Sequence, residues 1–150
     1  VLYSFGAAGT ADGASPRSNL IQDSAGNLYG TTFSGGAHNQ GTVFKISSIG
    51  SVSTLYSFGG APGDGSQPNG ALLLASDGKL YGSTNAGGVN NNGTIYQLNT
   101  TGTEKVLHSF SGSDGSNPYG QLIQARDGNL YGVTSNGGNF GNGTVFKFVM

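Results

Sequence analysis

The sequence predicts an all-β fold, a β-propeller built from three four-stranded blades per chain, and three observations lead there. One pattern occurs three times: residues 27–32 with 41–46, then 79–84 with 93–98, then 129–134 with 143–148. Leu28, Leu80 and Leu130 stand 52 and then 50 positions apart, within the period of repeat architectures. Each period holds four short apolar or β-branched runs separated by Gly, Asn, Asp and Pro, and no helical periodicity outlasts a turn. Four antiparallel strands in about 50 residues make a propeller blade.

The elements follow in order. Residues 1–5, Val-Leu-Tyr-Ser-Phe, read as a short strand with equivalents at 54–58 and 106–110, because aromatic and β-branched residues suit a sheet. A turn region then runs over residues 6–16, ending in Asp12-Gly13-Ala14-Ser15-Pro16. Its later copies are Asp64-Gly65-Ser66-Gln67-Pro68 and Asp114-Gly115-Ser116-Asn117-Pro118. Asp accepts bonds from nearby backbone, Gly takes positive φ and Pro fixes φ, so this is a shaped connection. Residues 19–22, 71–74 and 121–124 are the next strand, closed by tight turns with Asp-Gly or Gly-Asn content.

Leu28-Tyr29-Gly30, Leu80-Tyr81-Gly82 and Leu130-Tyr131-Gly132 follow. A Gly inside a strand weakens it, so its recurrence marks a close approach of a neighbouring backbone or ring. Residues 34–40, 86–92 and 136–142 are Gly/Asn loops, too polar for a core. Residues 42–46 and their copies form the last strand of the pattern, and short turns at 47–51 and 99–103 lead back to the Leu-Tyr-Ser-Phe or Leu-His-Ser-Phe strand.

Named from the axis outward as inner, second, third and outer, the strands of a blade hold Leu20, Tyr29, Phe44 and Tyr56 in the first copy. Both long loops fall on one rim and both short turns on the other. The assigned units are an outer strand at 1–5, blade 1 at about 17–58, blade 2 at about 69–110 and blade 3 at about 119–150, which lacks its outer strand. Three blades span too small an arc to close, so the expected partner is the chain itself, with the outer strand supplied by a neighbour. A homodimer gives six blades and a homotrimer nine; a longer polypeptide is the third possibility.

Composition narrows the function. Of 150 residues 29 are Gly, only 9% are charged and the net charge is -1, so no basic field exists to hold nucleic acid. Cys is absent, which removes disulfides and thiolate metal sites. No basic leader or long apolar run is visible, and a mature exported protein would look the same. Low charge with abundant Gly, Ser, Thr and Asn gives an extracellular or cell-surface expectation.

Gly26-Asn27-Leu28-Tyr29-Gly30-Thr31-Thr32, Gly35-Gly36, Gly41-Thr42-Val43-Phe44-Lys45, Leu55-Tyr56-Ser57-Phe58 and the Asp-Gly-Ser-x-Pro segment at 64–68 together resemble the GloVer-type tandem repeat of cyanobacterial and verrucomicrobial proteins. The resemblance covers nearly the whole chain. Ile95-Tyr96-Gln97 replaces Val-Phe-Lys in the middle copy and Ala14 replaces Ser in the first. It implies a bacterial, exported, propeller-like protein of unassigned activity and supplies no catalytic residues.

Asp12, Asp64 and Asp114 could offer oxygens to Ca²⁺, but one carboxylate per loop is an incomplete set for a hard cation, and capping of their own turns is the simpler role. No metal and no cofactor is therefore expected. Tyr29, Tyr81 and Tyr131 sit within strands, so packing with the hydroxyl satisfied is favoured over a stacking platform for sugars. His38, Tyr119 and Phe140, in or beside the long loops, are the ligand-facing candidates. His108 stands where Tyr3 and Tyr56 stand in the other copies, which suggests a structural slot. No serine has a nucleophile-elbow context and no Gly-rich segment enters a helix. The expected function is a noncatalytic binding or structural propeller presenting its loop face to a glycan or protein. The alternatives are a carbohydrate-active hydrolase or lyase using Asp12, Asp64 or Asp114 in a central pocket, and a self-assembling structural protein.

Overall fold

A computed structural model of the chain describes residues 1–6 and 9–150. Its strands form three antiparallel sheets. Blade 1 holds β1 (Ala14–Pro16), β2 (Ile21–Gln22), β3 (Leu28–Ser34), β4 (Thr42–Ile46) and β5 (Val52–Ser57), in the order β1-β3-β4-β5 with β2 beside β3. Blade 2 repeats this with β6 (Gly65–Pro68), β7 (Leu73–Leu74), β8 (Leu80–Gly87), β9 (Thr94–Leu98) and β10 (Glu104–Ser109). Blade 3 has β11 (Ser116–Gln124), β12 (Leu130–Asn136) and β13 (Thr144–Phe148). The architecture is thus all-β, three blade-like sheets joined by contacts between their strands.

The inner strand departs from expectation. Part of the Asp-Gly-Ser-x-Pro segment, assigned to a turn, is strand: Pro16 pairs with Thr32, Pro68 with Thr84 and Pro118 with Thr134. The turn signal arises because the residue before each Pro is left-handed, Ser15 at φ 56°, Gln67 at 57° and Asn117 at 52°. That twist serves the neighbouring blade. It aims the Gln67 N–H at Gln40 O, 2.7 Å away in the loop of blade 1, and the Asn117 N–H at Asn92 O, 2.9 Å away in the loop of blade 2. Ala7 and Ala8, in the turn region assigned to 6–16, lie outside the described residues.

The recurrent strand glycine has the cause anticipated for it. A Cβ on Gly30 would stand 2.6 Å from Phe44 Cζ and 2.7 Å from Leu20 Cδ2, and one on Gly132 would stand 2.5 Å from Phe146 Cζ. Each third-strand ring thus lies across the second strand. In blade 2 the ring is Tyr96, with its Cζ 2.5 Å from that position on Gly82.

Beside the ring two threonines share a hydrogen bond, buried in blades 1 and 2 and partly buried in blade 3: Thr32 with Thr42, Thr84 with Thr94 and Thr134 with Thr144, at 2.8, 2.8 and 2.9 Å. The glycine of each Asp-Gly step rests on this pair; a Cβ on Gly13 would meet Thr32 Oγ1 at 2.5 Å.

The core lies between blades. Tyr29 and Val43 of blade 1 pack with Phe58, Leu72, Tyr96 and Leu98; Tyr81 and Ile95 of blade 2 pack with Phe110, Leu122 and Leu130. Phe58 meets Tyr96 edge-on at 5.0 Å and Phe110 meets Phe146 at 5.2 Å. Phe5 takes the same place on Phe44, at 5.1 Å. Residues 1–5 pair with no strand among the described residues, and β13 has β12 as its one partner there.

Gly82→Ala should be severely felt, because Tyr96 is fully buried and cannot withdraw. The expected loss is about 1–3 kcal/mol, the scale of core overpacking. Urea denaturation measures it, and an unchanged midpoint would refute the packing account.

Candidate functional site

Two grooves lie at the blade boundaries and a third on the open side of blade 1, each lined by an aromatic from the Leu-Tyr-Ser-Phe or Leu-His-Ser-Phe segment and the Asp that follows. Tyr3 donates to Asp12 at 2.6 Å, Tyr56 to Asp64 at 2.9 Å, and His108 Nε2 stands 2.8 Å from Asp114 Oδ2. Each carboxylate also gathers loop amides: Gly6 N for Asp12, Gly59 N and Gly60 N for Asp64, Ser111 N for Asp114. At Asp114 burial opposes the charge, yet the bonds from Ser111 and His108 hold its carboxyl below the ordinary value. The three expected aspartates therefore shape their own turns, one per groove, and are not gathered in one pocket. His108 fills the Tyr slot, edge-on to Phe110 at 4.9 Å.

The other predicted residues separate. His38 lies against the following loop, its Nε2 3.1 Å from where a Cβ of Gly60 would be. Phe140 is exposed at a loop tip, and Tyr119 is exposed on the inner strand of blade 3. Nothing brings His38, Tyr119 and Phe140 to one point.

The strand tyrosines are indeed structural on the opposite rim. Tyr29 donates to Asp23 at 2.9 Å, Tyr81 to Asp77 at 2.8 Å and Tyr131 to Asp127 at 2.9 Å. Asp23 sits six positions before its tyrosine and the other two sit four before theirs, so the same acceptor is reached from two sequence positions. Bonds led by the Asn27 side chain hold the Asp23 carboxyl at about 2.

The groove between blades 1 and 2 differs from the others. Glu104 opens β10 there, at the place where β5 has Val52, as the pairings Glu104 with Leu98 and Val52 with Ile46 show. Alternation along β10 turns Glu104 inward with Val106. Burial, and next the charge of Asp64, push the Glu104 carboxyl up to about 7. Asp64 is only 8% exposed, and its Oδ1 is buried with no hydrogen-bond partner among the described residues, as is Glu104 Oε1. The groove, about 420 Å³, is lined by Tyr56, Asp64, Glu104, Lys105 and Ser109 together with the 61–63 loop. Burial, its bond to Asp64 and the nearby carboxylates raise the Tyr56 hydroxyl well above its ordinary value.

Glu104 escaped the sequence reading. Its signal was present, a carboxylate at the inward position of an alternating strand where the preceding copy has Val. Among the described residues no group of three or more His, Asp or Glu could hold a metal ion, and no helix is long and apolar enough to cross a membrane.

Solved structures share the fold. A streptogramin B lyase matches 87% of this chain over 39% of its own length, at 20% identity and a TM-score of 0.53. Virginiamycin B lyase from Staphylococcus aureus matches 91% over 41% of its length, at 15% identity and a TM-score of 0.56. A gluconolactonase from Xanthomonas campestris matches 85% over 42% of its length, at 20% identity and a TM-score of 0.52. The chain thus spans less than half the length of these proteins. No curated protein sequence matches it. At such identities the likeness is one of fold, but the fold neighbours are lyases and lactonases. They correct the expectation of a noncatalytic binding or structural propeller and favour its hydrolase or lyase alternative. At the level of sequence, the model of the Gloeobacter/Verrucomicrobia repeat matches residues 1–150 from end to end, and the chain belongs to that family.

Proposed function

We propose that the protein is a hydrolase or lyase acting on a carbohydrate, with Asp64 and Glu104 as its proton-transfer pair. The observation that supports this most is Glu104, whose carboxyl is pushed up to about 7 beside Asp64 at an open groove. A carboxylic acid that keeps its proton near neutrality can protonate a leaving oxygen, and its ionised form can take a proton. Asp64 is oriented by Tyr56 and two loop amides through Oδ2, while its Oδ1 is buried without a hydrogen-bond partner among the described residues and can share a proton only with a group that reaches it inside the groove. Tyr56, Lys105 and Ser109 add the hydroxyl and ammonium groups that bind a polyol. This moves the acid chemistry from the expected central pocket to a blade boundary.

The proposal extends to the setting. The blades work in a ring closed by oligomerisation, with an outer strand supplied by a neighbouring chain, and the low-charge surface suits a place outside the cell.

An array of polysaccharides and sugar lactones, with products followed by chromatography, tests the activity. Glu104→Gln and Asp64→Asn should each lower cleavage by about 10²–10⁴-fold, the usual worth of general acid–base catalysis. Asp12→Asn, in another groove, should leave it unchanged. No cleavage by the wild type, or cleavage by Glu104→Gln at the wild-type rate, would defeat the proposal.

Glu104 also sets a pH dependence of stability. Its folded value of about 7 lies above the ordinary 4.5, so the folded state holds the extra proton between those values. Stability is favoured by this group below about 4.5 and is lost as pH rises through about 7. Glu104→Gln should therefore be the more stable protein at pH 8. The gain is at most about 1–2 kcal/mol after allowing for solvent screening of a half-buried group. Thermal unfolding at pH 5 and pH 8 checks both sign and size.

A further inference from the structure

We propose that the groove between blades 1 and 2 takes a single sugar unit bearing an apolar substituent, with Val89 and the 61–64 turn as the surface that receives the substituent. This rests on the reading of Asp64 and Glu104 as the reacting pair and names what they act on.

The turn follows from its sequence. Ala61-Pro62-Gly63-Asp64 has Pro at the second position and Gly at the third, the composition of a type II turn. Gly63 has φ 79°, and the Asp64 N–H donates to Ala61 O at 3.1 Å, which closes that turn. Pro62 is thereby fixed at the exposed end of the same four residues that set the Asp64 backbone. The preceding loop folds onto the carboxylate as well, since Gly59 N and Gly60 N both bond Asp64 Oδ2. This wall is in place before a ligand arrives, which lowers the cost of binding one.

Val89 reaches the turn from the following blade. It stands in the 86–92 loop, 80% exposed, with Cγ2 3.9 Å from where a Cβ of Gly63 would be. Its backbone is tied down by the bond from Val89 N to Ser109 Oγ at 3.4 Å. Neither sister loop offers the same group, because Ala37 and Asn139 occupy its position. Nor does the next boundary have the turn: Ser-Gly-Ser joins Phe110 to Asp114, where Gly-Gly-Ala-Pro-Gly joins Phe58 to Asp64. The apolar rim thus occurs at the same boundary as Glu104.

Depth sorts the two chemistries. Asp64 Oδ1 and Glu104 Oε1 are buried, whereas Ala61, Pro62 and Val89 are exposed at the mouth. A ligand that brings oxygens to the carboxyls lays its outer end on apolar surface. An unsubstituted sugar, with hydroxyls on every edge, gains little from Val89 and Pro62; a substituted one removes carbon from water against them. The volume of about 420 Å³ is near the lower end for ligand sites, room for one ring and its substituent and not for a run of sugars.

A panel of phenyl glycosides of common hexoses and pentoses, each with its methyl counterpart, provides the test, read by calorimetric titration and by product release. At least one phenyl glycoside should bind about tenfold more tightly than its methyl counterpart, the discrimination an apolar contact gives. Val89→Ser, at an exposed position, should lose most of that preference. Ile49→Ser, which removes an equally exposed side chain from the opposite rim, should keep it, so a general affinity for phenyl groups is told apart. Glu104→Gln should keep the preference while losing cleavage. No binding by any phenyl glycoside, equal binding of the paired compounds, or a preference that survives Val89→Ser overturns the proposal. A wild type that shows the Val89-dependent preference and cleaves nothing upholds the substituent surface and removes only the proton-transfer reading.

Discussion

No blade here can bury its own two faces. A four-stranded sheet with Tyr29 and Val43 on one side and Leu20 and Phe44 on the other is apolar on both, and a single sheet has no second layer of its own. Each blade therefore becomes a layer for the next, and the spacing of that stack is fixed by how closely an aromatic ring can lie upon a strand. Gly30, Gly82 and Gly132 set that distance, which is why they stand where a β-former would otherwise be preferred. The loss of strand propensity is local, and the ring it admits joins two blades at once.

Polar groups complete the joint that apolar faces begin. A stack of greasy faces could slide by a residue, but the bonds from Gln67 to Gln40 and from Asn117 to Asn92 tie backbone to backbone across each boundary. Below them each Asp of the Asp-Gly step ties its own loop to the preceding outer segment through Tyr3, Tyr56 or His108. The rims are thus held by carboxylates whose acceptor positions are mostly filled. Asp64 is held by one oxygen, and its Oδ1 is buried without a hydrogen-bond partner among the described residues.

How much of this was legible depended on whether the signal was periodic. The repeat length, the strand content and the glycine under a ring all follow from local chemistry recurring at one interval. The inner strand was harder, because a left-handed residue before Pro has the composition of a turn, and only the neighbouring blade explains why a strand should contain one. The candidate site was least legible. Asp12, Asp64 and Asp114 recur because they build the framework, so periodicity singled out one member of the proposed pair, Asp64, together with two residues fixed in their own turns. Glu104 was overlooked because it breaks the pattern.

Departures from a repeat therefore deserve a different weight from its conserved frame. Among those of blade 2 are Tyr96, where blades 1 and 3 have Phe44 and Phe146, and Glu104, where blade 1 has Val52. Both place an oxygen where the stack has no partner for it: the Tyr96 hydroxyl is fully buried and unbonded, and so is Glu104 Oε1. An unsatisfied buried polar group costs about 1–3 kcal/mol, against nothing for the Phe and Val found in the sister blades. A fold that gains cohesion by repeating itself has no structural reason to carry either change. Tyr96 has its oxygen over Gly82, within the sealed joint, and the structure gives it no function. Glu104 opens instead on a groove shared with Asp64, so the groove between blades 1 and 2 is where a local loss of stability most plainly coincides with access to a ligand.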